Sequence, residues 1–174
     1  EISEIVDGPI SAEVTSLDTE KMISQGKSLA EISKNIVVKV PLTHNGLLAC
    51  RALSKISIRV NVTLCFSSSQ AILAAKMGAS YISPFIGRLD DISSEGLLLI
   101  DEIVTIYNNY PESFTTEVLV ASIRSPLQVS QVAQMGAHVA TIPPKIVKQM
   151  TKHPLTDTGL KSFMEDWKKT GQSF

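Results

Sequence analysis

Two kinds of apolar pattern alternate along the chain. Short runs rich in Val and Ile, with side chains that switch character every second residue, predict strands. These are PISAEV (Pro9 to Val14), NIVVKV (Asn35 to Val40), IRVNVTL (Ile58 to Leu64), SYISPF (Ser80 to Phe85), TEVLVAS (Thr116 to Ser122) and HVATI (His138 to Ile142). Between them, apolar positions return every three or four residues and predict helices over Asp18 to Ile32, Thr43 to Ser54, Ser67 to Met77, Ser93 to Tyr107 and Ser125 to Met135. Each opens near a side chain able to accept from a free helical N–H: Asp18, Thr43, Ser67, Ser93 and Ser125. Pro126 suits the first helical position. KMGASYIS and QMGAHVAT both place a glycine, Gly78 and Gly136, where a helix closes in the left-handed conformation before the next strand. Pro144 to Met150 and Asp157 to Lys169 predict two further helices.

Strict alternation of strand and helix predicts an α/β fold with a parallel sheet, open or closed. The polar positions decide between these. In NIVVKV, Ile36, Val38 and Val40 share one face, while Val37 and Lys39 share the other. The same parity sets Ser11 and Glu13 apart from Ile10, Ala12 and Val14, Asn61 and Thr63 from Val60, Val62 and Leu64, Ser83 from Ile82, and Ser122 from Ala121. One face is apolar, as a helix-covered surface requires. The other becomes polar toward the carboxyl ends of the strands, as in the mouth of a TIM-type (β/α)8 barrel. An open sheet covered on both faces would leave those polar groups without partners. Six of the eight strands are visible, in a single barrel domain over residues 1–174.

Composition excludes several classes of partner. Sixteen basic residues against seventeen acidic ones give a net charge of -1, so no basic footprint for nucleic acid or a membrane surface is present. No apolar run approaches the roughly 18 residues that a membrane span needs, and no secretory signal is visible. Cys50 and Cys65 lack a CxxC spacing and are expected to be buried, inert thiols of a reducing, cytoplasmic protein. His44, His138 and His153 share no metal-ligand spacing, so neither a metal nor another cofactor is expected.

Lys39 carries the candidate chemistry. An edge-strand lysine that keeps other strands away is one reading. Its shared parity with Glu13, Thr63 and Ser83 supports another, in which an amine in a dry barrel mouth is pushed toward its neutral form and attacks a carbonyl carbon. Glu13, across from it, is either a proton-transfer group or a simple ion-pair partner. Asn61 and Thr63 either hold a water or bond to the neighbouring strand. Arg88 and Arg124, just beyond strand ends, are either surface charges or donors to an anion.

ISAEV, NIVVKVPLT, NVTLCFSSSQA, YISPFIGRLDD and VLVASIRSP, in this order and spacing, resemble the small transaldolase family, which includes fructose-6-phosphate aldolases. The likeness runs from about Asp7 to Phe174. It implies a TIM-type barrel and metal-free Schiff-base chemistry, with Lys39 as nucleophile, Glu13 as carboxylate and Thr63 holding a water. It further implies sugar phosphates as partners, with Ser83, Asn61 and Phe85 lining the sugar and Arg88, Ser122 and Arg124 at the phosphate. The reaction implied is transaldolase transfer of a dihydroxyacetone unit, with a fructose-6-phosphate aldolase as the alternative and an inactive fragment or sugar-phosphate binder as a second. Phenylalanine at 85 and glutamate at 13 favour transfer, because the aldolases of the family carry tyrosine and glutamine there. Two βα units that open the family's barrel are not seen, so the domain is expected to be incomplete at its N-terminal side. EISEIVDGPI reads as a helix tail leading into a strand. The 154–174 segment carries Leu160, Phe163, Met164 and Trp167 on one stripe, either covering its own barrel or packing on a neighbouring subunit. By resemblance, the assembly is a homo-oligomer, a pentamer or decamer.

Overall fold

The computed structural model describes residues 1–173; Phe174, the last residue of the 154–174 segment, lies outside the described residues. In chain order the elements are α1 (Ile2–Ile5), β1 (Ile10–Glu13), α2 (Thr19–Ala30), β2 (Ile36–Pro41), α3 (His44–Lys55), β3 (Val60–Cys65), α4 (Ser68–Lys76) and β4 (Tyr81–Pro84). They continue with α5 (Ile86–Asp90), α6 (Gly96–Asn109), β5 (Glu117–Val120), α7 (Pro126–Gln134), β6 (Val139–Ala140), α8 (Pro144–Met150) and α9 (Pro154–Lys169). The caps form where short polar side chains precede apolar periodicity: Asp18, Thr43, Ser67 and Ser125 each accept from an N–H of the helix they open. Gly78 and Gly136 take φ of +84° and +86°, closing α4 and α7 as their sequence contexts predict.

All six strands are parallel and lie in sequential order, β1-β2-β3-β4-β5-β6. A doubly wound sheet reverses its order partway, sending helices to both faces. Sequential right-handed crossovers keep the helices on one face and curl the sheet into part of a barrel. Beneath the helices, Val38, Val40, Val60, Val62, Ile82, Val118 and Val120 are fully buried against Met22, Leu53, Ala74, Ile100 and Ile103. Close helix–strand approach needs glycine at Gly46, where a Cβ would fall 1.9 Å from the Pro41 carbonyl oxygen.

Three local expectations are corrected. Ser93 does not cap a helix. It sits in a turn with φ of +60°, and α6 starts later, at Gly96, whose N–H donates to the Asp90 carboxylate. The short helix α5 sits in what the pattern reads as a loop, because its Ile86 and Leu89 are too few to set a period yet are buried by α6. Strand β5 presents Leu119 and Ala121, not Ser122, on the inner parity, since Val118 and Val120 belong to the helix-covered core. Ser122 reaches the interior by a different route, a left-handed backbone with φ of +63°.

Candidate active site

The register places Glu13 beside Lys39 and Lys39 beside Asn61. Yet the Asn61 amide Nδ2 donates to the Ser11 hydroxyl at 3.1 Å, two residues below Glu13. A two-residue offset across two strands is the stagger of about one residue per strand that an eight-stranded barrel of shear eight requires. Carried along the sheet, it groups Ser11, Asn61 and Leu119 in one layer and Lys39, Ser83 and Thr141 in the next. All six line one cavity of about 320 Å³, together with Thr63, Phe85, Ala121 and Ser122. Layers drawn from alternate strands are the packing mode of a barrel interior.

Within that cavity the polar groups are specifically arranged. Lys39 Nζ donates to Glu13 Oε2 at 3.1 Å, with the lysine side chain 25% exposed and the glutamate 51%. Ser83 Oγ donates to Asn61 Oδ1 at 2.7 Å, so Asn61 bridges β1 and β4 and both amide atoms are engaged. Thr63 differs. Its Oγ1 is buried and has no hydrogen-bond partner within the described residues, although the residue is only 1% exposed. Immediately after it, Leu64 adopts φ of +61°, a conformation costing roughly 1–2 kcal/mol for a branched side chain. The resulting bulge lets Cys65 oppose Pro84 while Thr63 opposes Ser83, which re-aims the end of β3 at the cavity mouth.

An unpaired buried hydroxyl costs about 1–3 kcal/mol of stability, a cost that an isosteric apolar group avoids. Thr63→Val should therefore raise the midpoint of urea unfolding, by about 1 kcal/mol in stability, while lowering turnover roughly 10- to 100-fold. A variant with full turnover would show that the hydroxyl has no part in the chemistry.

Beyond the strand ends, the Phe85 ring rests between Phe66, at 6.2 Å between centroids, and the Arg88 guanidinium, 4.9 Å from the ring centre. Phe85 bridges to Ala121 at the point where β4 leaves the sheet. Arg124 donates through both terminal nitrogens to the two carboxylate oxygens of Asp91. The Arg124 hydrogen bond, with help from the charge of Arg88, holds the Asp91 carboxyl below the usual carboxylate range. Gly87 is essential to this packing, since a Cβ there would fall 2.3 Å from the Ser122 carbonyl oxygen and 2.5 Å from Arg124 Nε.

The structure thus brings Lys39, Asn61, Thr63, Ser83, Phe85 and Ser122 to one cavity, with Glu13 bonded to Lys39. Arg88 and Arg124 stand at the rim: Arg88 lies on the ring of cavity-lining Phe85, and Arg124 comes two residues after the left-handed Ser122. Sequence reading put Ser11 on the polar face without naming it to the site, and it missed Thr141 as a lining residue and Asp91 and Gln128 as partners of the arginine arm. Ser11 shares the parity of Glu13, which is a usable signal; the Asp91 pairing spans 33 residues and has none. Cys50 and Cys65 are fully buried, and burial pushes each thiol up to about 12. Among the described residues no cluster of His, Cys, Asp and Glu has the makings of a metal site, and no helix is long and apolar enough to cross a membrane.

A part-barrel of parallel strands with a lysine–carboxylate pair at the carboxyl ends of its strands defines the class of protein, an α/β barrel of the TIM type. The family model described as Transaldolase/Fructose-6-phosphate aldolase matches residues 1–174, and the chain belongs to that family. It is 59% identical over 173 residues to a probable transaldolase of Rhodospirillum centenum, covering 99% of this chain and 74% of that protein. A probable transaldolase of Chlorobium phaeobacteroides is 64% identical over 165 residues, or 95% of this chain and 73% of the relative. One from a Thermoanaerobacter species is 57% identical over 171 residues, 98% and 78% of the two chains.

Proposed function

We propose that the site carries out transaldolase chemistry. Lys39 attacks the ketone carbon of a ketose phosphate and the adduct loses water to form an iminium. The C3–C4 bond then breaks as the C4 hydroxyl gives its proton to water, an aldose phosphate leaves, and the nitrogen takes up the electron pair. Glu13, 3.1 Å from Lys39 Nζ, moves the protons of carbinolamine formation and breakdown, with a water held by the Thr63 hydroxyl. The dihydroxyacetone unit stays on Lys39 until an aldose phosphate accepts it. In this reading sedoheptulose 7-phosphate and glyceraldehyde 3-phosphate exchange with erythrose 4-phosphate and fructose 6-phosphate, in the non-oxidative pentose phosphate pathway of the cytoplasm. The observation that carries it is the Lys39–Glu13 pair on adjacent strands at the mouth, beside an unpartnered buried hydroxyl.

Arg88, Arg124 and Ser122 are the proposed phosphate donors. Supplying fructose 6-phosphate and erythrose 4-phosphate should yield sedoheptulose 7-phosphate; no heptulose product removes the reading and favours a sugar-phosphate binder. Arg124→Ala should raise KM for phosphorylated sugars roughly 10- to 150-fold, the scale of one charge-assisted hydrogen bond of about 1.5–3 kcal/mol. An unchanged KM moves the phosphate elsewhere.

The chain also assembles, in this reading, through its last helix. Leu155 and Phe163 of α9 are 73% and 72% exposed, with Leu160 and Met164 exposed beside them and Trp167 partly buried. That stripe does not cover the chain's own barrel, which favours packing on a neighbouring subunit in a homo-oligomer. Light scattering on a chain ending at His153 should report smaller particles than the full chain; equal sizes would refute the role given to α9.

A further inference from the structure

Arg124 is anchored at both ends by one dipeptide, Asp90-Asp91, at the end of α5. Its guanidinium gives both terminal nitrogens to Asp91. Its backbone N–H donates to Gln128 Oε1 at 2.8 Å, and Gln128 Nε2 in turn donates to Asp90 Oδ2 at 2.9 Å. Gln128 is itself held at the start of α7, where its N–H donates to the Ser125 cap. The opposite side of the guanidinium, Nε, lies against Gly87 and close to Ser122, where no side chain fits. Asp90 also accepts from the Gly96 N–H, tying the whole arm to α6.

We propose that Asp91 is a positioning residue that fixes Arg124 for the phosphate of the substrate, an inference that rests on the phosphate assignment made above. Arginine carries several rotatable bonds, and a guanidinium that is half exposed would otherwise have to be ordered by the ligand. The bidentate fork with Asp91 orders it beforehand and leaves Nε on the side of Gly87, near Ser122. Two effects oppose one another when Asp91 is removed. Loss of a nearby negative charge draws an anion in, but salt screens that gain at an exposed position. Loss of the fork frees the side chain and weakens every bond it makes to the anion. Pre-ordering prevails, so the carboxylate beside the arginine helps the anion rather than competing with it.

The test is titration of the full chain with inorganic phosphate, followed by phosphorus NMR at physiological salt. Asp91→Ala should bind phosphate roughly 2- to 12-fold more weakly than wild type, the range expected when one side chain must be ordered on binding. Asp91→Asn, which keeps one acceptor oxygen, should fall between the two, and it serves if the alanine variant does not fold. Adding Asp91→Ala to Arg124→Ala should change nothing further, because the positioned group is gone. Unchanged or tighter phosphate binding by both Asp91 variants overturns the proposal, as does an undiminished Asp91 effect in the Arg124→Ala background. A purely structural role would lower the melting temperature while leaving phosphate affinity alone, and that also counts against it. Should Arg124→Ala by itself bind phosphate as well as wild type, or wild type bind none, the phosphate assignment fails first and the Asp91 proposal falls with it.

Discussion

Borohydride added to the protein with fructose 6-phosphate should leave a dihydroxyacetone-derived mass on Lys39, and peptide mapping should find it nowhere else. Three features of the site converge on this residue. It lies in the layer with Ser83 and Thr141, on the cavity wall, at 25% exposure. Its amine is in contact with a carboxylate able to take up and return a proton. The carbonyl of a bound ketose would lie among Asn61, Ser83 and Thr63, the polar groups of the same cavity. Lys39→Ala should lower turnover by a factor on the order of 10⁴ to 10⁶, the scale on which loss of a nucleophile acts in covalent enzymes. Lys34 and Lys55 stand outside the cavity lining and serve as internal controls. A trapped mass on either of them, with Lys39 unmodified, would remove Lys39 from the mechanism.

Phe85→Tyr should convert part of the transfer reaction into release of free dihydroxyacetone. The ring lines the cavity, braced by Phe66 and by the Arg88 guanidinium, and it presents only carbon to the adduct. In the proposed reaction a dry ring lets the iminium wait for an acceptor aldehyde, whereas a phenol hydroxyl can position a water for hydrolysis. The ratio of release to transfer should rise on the order of 10- to 100-fold, up to the lower end of what one general acid–base contact contributes. Glu13→Gln, which puts at position 13 the residue that the resemblance gives the family's aldolases, should shift the ratio in the same direction. Both rates are to be read on one preparation with fructose 6-phosphate, with and without glyceraldehyde 3-phosphate. If the wild-type chain releases dihydroxyacetone faster than it transfers it, the aldolase reading replaces the transaldolase one.

What could be read directly from the chain was local. Strand β2 shows this best: Val38 and Val40 go under the helices and Lys39 to the cavity because a pleated backbone alternates its side chains whatever surrounds it. Asp18, Thr43, Ser67 and Ser125 cap their helices for an equally local reason, since the acceptor and the free N–H lie three residues apart in sequence. The parity of Glu13, Asn61, Thr63 and Ser83 followed from the same rule. The motifs then assigned a family that the comparison bears out.

Parity failed at strand ends, where the backbone leaves the pleat. Ser122 enters the cavity through a left-handed residue, and the bulge at Leu64 separates Thr63 from Cys65 in register. Neither residue is glycine, so neither announces its conformation. Helix α5 and the late start of α6 depend on Asp90 reaching Gly96, which no period records. The tertiary structure alone decided that Asn61 would be satisfied on both sides while Thr63 would be left with a buried, unpartnered hydroxyl. It alone placed Asp91 on Arg124, across 33 residues of chain. Within the pleated parts of β1 to β4, the sequence by itself determined which residues face inward, because that follows from backbone geometry over a few residues. Which of them bond to one another depends on the stagger between strands, and the stagger exists only once the sheet has curled.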